Sequence, residues 1–162
     1  MVSNLAPIFP ASIMTTTTEF PTQDRMESPS ELRARHRILV VDDNPHSAQT
    51  LERLLLNERY QVMALSNPVK AAELSPRFAP HLAILDLGMP VMDGLALCKL
   101  LRQGPGGGRM HIVAVSGRDY TDAEVKEAGF DRLFLKPLDW PTLKVELARV
   151  VAKNEFRRSL LG

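Results

Sequence analysis

The sequence predicts an α/β fold: a doubly wound, five-stranded parallel sheet with helices on both faces. Three observations predict it. Between Arg37 and the C-terminus, short apolar runs alternate five times with stretches of helical period. Each run is apolar without interruption, as in strands buried on both faces, rather than alternating with polar residues. The length after residue 36, roughly 125 residues, suits one domain with one core. Strand–helix alternation of this kind forces parallel strands joined by right-handed crossovers.

Residues 1–36 read as a disordered lead. They hold Pro7, Pro10, Pro21, Pro29 and the run Thr15–Thr18, with no sustained period. Met14 and Met26 lie inside it, which leaves the start codon open. The stretch from Glu31 to Arg37 is basic and reads as a solvated face where order begins. The domain is expected over 37–153. Its strands are Ile38–Val41, Val62–Leu65, Leu82–Leu85, Ile112–Val115 and Leu133–Leu135. The first helix starts at Asn44-Pro45, an N-cap followed by proline at the first helical position. It continues with Ala48, Leu51, Leu54 and Leu55 on one face. A short second helix is expected around Val69–Leu74. A third spans about Leu95 to Arg102 and runs into the loop Gly104-Pro-Gly-Gly-Gly108, read as a flexible connection. Thr121-Asp-Ala-Glu124 is a capping box that opens the fourth helix, and Gly129 closes it. The fifth begins near Trp140-Pro141 and places Leu143, Leu147, Val150 and Val151 at helical spacing. Trp140 is expected to pack at its start. Residues 154–162 read as a short tail.

Composition narrows the function classes. Formal net charge is +1, so no bulk field points to nucleic acid or to a membrane, and neither is expected as a partner. Cys98 is the single cysteine. It makes no internal disulfide, suits a reducing cytoplasm and reads as a core thiol. His36, His46, His81 and His111 show no ligand spacing. No apolar run approaches the roughly 20 residues that span a bilayer.

In a doubly wound sheet the ligand site lies beyond the carboxyl ends of the strands. The residues that follow the apolar runs are Asp42 and Asp43, then Asp86, Ser116 and Lys136. Taken singly, each has a bland reading: a capping pair, a turn serine, a solvated lysine. Jointly they form a set with one chemistry. Three adjacent carboxylates repel one another unless a cation intervenes, and Mg²⁺ prefers such hard oxygen ligands. A hydroxyl and an ammonium opposite the metal leave room for a phosphoryl group, whose transfer needs positioning and charge neutralisation. Asp86 then attacks as a nucleophile to give an acyl phosphate.

Four segments carry a family resemblance: Ile38-Leu-Val-Val-Asp-Asp-Asn-Pro45, Leu85-Asp-Leu-Gly-Met-Pro-Val-Met-Asp-Gly94, Ala114-Val-Ser-Gly117 and Phe134-Leu-Lys-Pro-Leu138. Over about residues 37–152 the chain resembles the receiver domain of bacterial two-component response regulators. The resemblance implies a flavodoxin-like (βα)5 receiver fold with Asp86 as the phosphorylated residue. It implies Mg²⁺ held by Asp42, Asp43 and Asp86 together with the carbonyl of Gly88. It makes Ser116 the switch hydroxyl and Lys136 the partner of the phosphoryl group, with a cis Lys136–Pro137 bond. Gly88 and Arg118 flank that group. The implied donor is a histidine kinase or a histidine phosphotransfer protein. The implied reader is a separate downstream effector, and the setting is the cytoplasm, as a monomer or weak dimer. No enzyme activity on a separate metabolite is implied, only self-phosphorylation and self-dephosphorylation. One departure stands out: Leu133 occupies the position where many receivers carry a switching Tyr or Phe, and Phe134 has the opposite strand facing. With only about ten residues after the fifth helix, a stand-alone receiver or a phosphorelay carrier is expected. A phosphohydrolase of the haloacid dehalogenase type uses a second Asp two residues after its nucleophile, where this chain has Gly88. An interaction domain without phosphochemistry leaves the full acidic, hydroxyl and lysine set unexplained.

Overall fold

The computed structural model describes residues 27–162. Its strands are β1 (Arg37–Val41), β2 (Gln61–Leu65), β3 (Leu82–Asp86), β4 (His111–Ser116) and β5 (Arg132–Leu135). The helices are α1 (Pro29–Ala34), α2 (Pro45–Asn57), α3 (Pro68–Phe78), α4 (Gly94–Gln103), α5 (Asp122–Ala128) and α6 (Trp140–Leu161). The strands form one all-parallel sheet in the order β2-β1-β3-β4-β5. The winding order across the sheet reverses between β1 and β3, with β2 added on one side and β3 to β5 on the other, so the switch point beyond the strand ends falls on central strands.

Side-chain alternation along the strands separates two cores. Leu39, Val41, Ala83, Leu85, Ile112 and Ala114 face α3, α4 and α5. Ile38, Val40, Leu82, Ile84, Val113 and Val115 face α2 and α6. β3 and β4 are buried along their whole length, which is why their sequences show no polar alternation. Each helix that follows a strand starts on a side-chain cap. The Asn44 carbonyl oxygen accepts from the amides of His46 and Ser47, and Asn67 does the same for Val69 and Lys70. Asp93, Thr121 and Asp139 cap the remaining three.

Three expectations change. Residues 1–26 of the predicted lead lie outside the described residues, but its end is ordered. Ser28 and Glu31 form a capping box with Pro29 in the first turn, so 29–34 is helical. Leu32 then packs on the α2–α6 core, Arg33 donates to the Glu58 carbonyl at 2.8 Å, and His36 is buried. Second, α3 is longer than predicted and accommodates Pro76 near its end. Third, the expected tail 154–162 continues α6 as far as Leu161.

The glycine-rich loop is tied down rather than free. The Arg102 guanidinium donates to the carbonyls of Gly107, Met110 and Gly129 and to the Asp131 carboxylate. A side chain at Gly107 would collide with the Leu101 and Arg102 carbonyls. Nearby, buried His111 places Nε2 2.7 Å from Glu146, which also pairs with Arg149.

Candidate functional site

Asp86 is the last residue of β3 and is buried. Its carboxylate Oδ1 accepts from the Gly88 amide at 3.2 Å. Asp42 and Asp43 follow β1, the neighbouring strand, and the Asn44 amide donates to Asp42 Oδ1 at 2.9 Å. That contact turns the chain into α2 and fixes the Asp42 carboxylate at the strand end. One oxygen from each of Asp42, Asp43 and Asp86 lies within 4.8 Å of the others. The set is all hard oxygen, at a spacing one cation can bridge, and it fits Mg²⁺.

Electrostatics show the strain of this cluster. The Asp43 carboxyl is raised above its ordinary value, first by burial and then by its hydrogen bond to Asp86 and the charges of Asp86 and Asp42. Lys136, just after β5, lies 3.2 Å from Asp42 Oδ2 and 3.4 Å from Asp86 Oδ1. Burial pulls its ammonium down, but the two carboxylates outweigh it, and the group stays raised and charged. The Lys136–Pro137 bond is cis.

Ser116 ends β4 and is 1% exposed. Its hydroxyl donates to the Arg118 carbonyl and accepts from the Arg118 amide, both at 3.0 Å. In this conformation the hydroxyl is held by its own loop rather than by Asp86. Leu133 packs half-buried with Tyr120 against the α3–α5 core, whereas Phe134 is buried on the opposite face. The strand facings therefore match expectation, and no ring sits at the Leu133 position.

Two local features were not assigned a role from sequence. Gly94 opens α4 directly beneath Asp86, and a Cβ there would collide with the Asp86 carbonyl oxygen and meet Leu87 Cα at 2.9 Å. The signal was available in Asp93-Gly94, where a cap meets a residue without a side chain. Val91 lies in the loop between Asp86 and α4 with φ 70° and 95% exposure. Met92 N donates to Pro90 O across it, a tight γ-turn that a β-branched residue rarely adopts. A pocket of about 430 Å³ runs from Asp42, Asp86 and Lys136 along α2 to Leu138 and Trp140. The single tryptophan thus packs at the start of α6, as predicted, and also lines the cavity that reaches the acidic cluster.

Comparisons with known proteins agree with this geometry. The family description "Response regulator receiver domain" matches residues 38–148. The response regulator PleD of Caulobacter vibrioides is 31% identical over 123 residues, 75% of this chain and 26% of that protein. The response regulator MprA of Mycobacterium leprae is 35% identical over 118 residues, 72% of this chain and 50% of that protein. The chain therefore spans between about a quarter and a half of the length of these relatives. Among solved structures, the signal receiver domain of a DNA-binding response regulator from Colwellia psychrerythraea superposes with a TM-score of 0.67 at 26% identity. That match covers 72% of this chain and 98% of the other.

Proposed function

Because the chain belongs to the response regulator receiver domain family of two-component signalling, we propose that Asp86 is its phosphoacceptor and that Lys136 and Ser116 serve the transfer. The observation that carries the assignment is the convergence of two further carboxylates, Asp42 and Asp43, and one ammonium on Asp86. Asp42, Asp43 and Asp86, with the Gly88 carbonyl, would hold Mg²⁺. When bound, the ion supplies charge neutralisation for the phosphoryl oxygens and relieves the repulsion now visible at Asp43.

The residues divide the work. One carboxylate oxygen of Asp86 forms the new P–O bond as the P–N bond of a donor phosphohistidine breaks and the imidazole leaves. Lys136 already bridges Asp42 and Asp86, so its charge is in place before the phosphoryl group arrives. Ser116 has to give up Arg118 to donate to a phosphoryl oxygen, and that exchange releases the β4–α5 loop. With Leu133 in place of a ring, the loop movement itself changes the face built from α5, β5 and α6. The donor is a histidine kinase or a histidine phosphotransfer protein, the reader is a separate effector, and the setting is the cytoplasm. No helix among the described residues is long and apolar enough to cross a membrane. The reaction is confined to the protein's own aspartate, since Gly88 offers no acid for turnover of a separate substrate.

Trp140 is a built-in reporter for this reading. Titrating Mg²⁺ and then acetyl phosphate changes its fluorescence in the wild type. Asp43→Ala weakens the Mg²⁺ response about tenfold or more, equivalent to about 1.4 kcal/mol. Ser116→Ala keeps the Mg²⁺ response but alters the one to acetyl phosphate. Unchanged Mg²⁺ affinity in Asp43→Ala contradicts the metal assignment, and a wild-type response in Ser116→Ala removes its switch role.

A further inference from the structure

We propose that the end of the domain opposite Asp86 is a groove for a phosphodiester polymer, a single strand of RNA or DNA held through its backbone. The net charge of +1 hides a polarised molecule. The carboxyl end of the sheet gathers Asp42, Asp43 and Asp86. At the amino end, two pockets of about 310 and 1110 Å³ open between α6, the glycine-rich loop and the strand starts. Arg109 and Arg157 line both, which makes them arms of one groove. Lys126 and Lys153 extend one arm, and Arg37 and Arg158 extend the other.

These cations are available. Among the described residues, Arg109, Lys126, Lys153, Arg157 and Arg158 form no ion pair. The lining carboxylates face other groups: Asp131 takes Arg102 at 2.7 Å, and Glu155 lies 4.0 Å from His36. The helical continuation of α6 through 154–161 builds the outer wall, so the groove exists only because that segment is not a free tail.

The chemistry selects the ligand class. A site for one small molecule fixes it with a few precisely placed polar groups. Here the unpaired cations are exposed, on long side chains, and spread along a channel. That suits a repeating anion, in which each phosphate meets a nearby Lys or Arg and releases its counterions, without reading bases. A flat anionic membrane would meet the exposed Leu160 and Leu161 at the rim, but the cations themselves line the concavity between α6 and the glycine-rich loop, a shape that suits a strand better than a plane. His111 and Ser116 mark the two ends of β4, and at about 3.3 Å per residue the groove lies roughly 17 Å from the acidic cluster. Both ends can therefore be occupied at once, and the proposal stands independently of the phosphoacceptor reading.

Fluorescence anisotropy with labelled oligo-U and oligo-dT of roughly 20 nucleotides tests it, since both exceed the site size of a small binding domain. Binding is expected with Kd of about 10⁻⁴–10⁻⁶ M at physiological salt, and log K should fall linearly with log salt. Removing Arg109 and Arg157 together, as R109A/R157A, should weaken binding about tenfold or more and flatten the slope by about 1.4. Lys99→Ala, outside the groove, should leave both unchanged. Equal binding of the two oligomers assigns the shared phosphodiester backbone, and preference for oligo-U assigns RNA. Near-ultraviolet circular dichroism of the double variant verifies its fold. No anisotropy change up to about 100 μM, a slope indifferent to the double variant, or sedimentation with phosphatidylserine vesicles without oligonucleotide binding would overturn the proposal.

Discussion

At the scale of single residues, Asp86, the proposed acceptor, depends on a neighbour that has no chemistry of its own. Gly94 begins α4 against the backbone of Asp86 and Leu87, with no space for a methyl group. Gly94→Ala must push α4 away or displace the end of β3. Overpacking of this kind costs about 1–3 kcal/mol, and here it also moves the Asp86 carboxylate proposed as nucleophile. The variant should unfold several degrees lower and accept phosphate from acetyl phosphate at least several-fold more slowly. Thermal melts and timed phosphorylation check the two effects; normal values for both would show that the helix start yields freely. The acidic, hydroxyl and lysine positions were legible in the sequence because each directly follows an apolar run. The Ser116–Arg118 contacts were not, since a hydroxyl can turn to its own loop or to a ligand from the same sequence. Nor was the γ-turn at Val91, where the local preference of a β-branched residue opposes the backbone that the loop adopts.

Among the elements, the five strands and their crossover helices follow from apolar runs and caps. Asn44-Pro45 and Thr121-Asp-Ala-Glu124 each start a helix where the residues demand one, and Asn67-Pro68, not read as a start from sequence, caps α3 in the same way. The two ends of the chain were less legible for opposite reasons. α1 is six residues long, too short to show a period, and tertiary contacts hold it. α6 runs on through Arg157 and Arg158 to Leu161, where Phe156, Leu160 and Leu161 are exposed and pack no stripe against the core. The docking of α1 has a measurable consequence. It packs Leu32 on the α2–α6 core, and Gln61 donates to the Ala34 carbonyl at 2.8 Å. Deleting residues 1–36 should therefore lower the thermal midpoint by about 3–5 °C, equivalent to about 1 kcal/mol. Calorimetry of the truncated chain checks it, and an unchanged midpoint would mean that α1 rests on the domain without stabilising it.

For the whole molecule, acid stability follows from half-buried His81 and buried His111. Burial first, then the charges of Arg37 and His36, lower His81 to about 4 from its usual 6.5. Its neutral Nδ1 accepts from the Arg37 amide at 3.1 Å, a role that a protonated ring loses. Burial likewise lowers His111, against the opposing pull of Asp131 and Glu146. Between pH of about 6.5 and about 4 the unfolded chain binds more protons at His81 than the folded one, so stability falls as pH falls. The thermal midpoint should drop by several degrees from pH 7 to pH 4.5. His81→Asn, which keeps an acceptor but no titrating ring, should flatten part of that slope; a slope identical to wild type would remove His81 from the account.

The whole domain is organised so that β1, β3, β4 and β5 end around one carboxylate, and that arrangement can be tested directly. Incubation with acetyl phosphate and Mg²⁺, followed by intact-mass and peptide mass spectrometry, should show one phosphoryl group on the wild-type chain, located at Asp86. Labelling should vanish without Mg²⁺ and in Asp86→Asn. Equal labelling of wild type and Asp86→Asn, or a phosphoryl group placed on another residue, would contradict the assignment of Asp86 as phosphoacceptor.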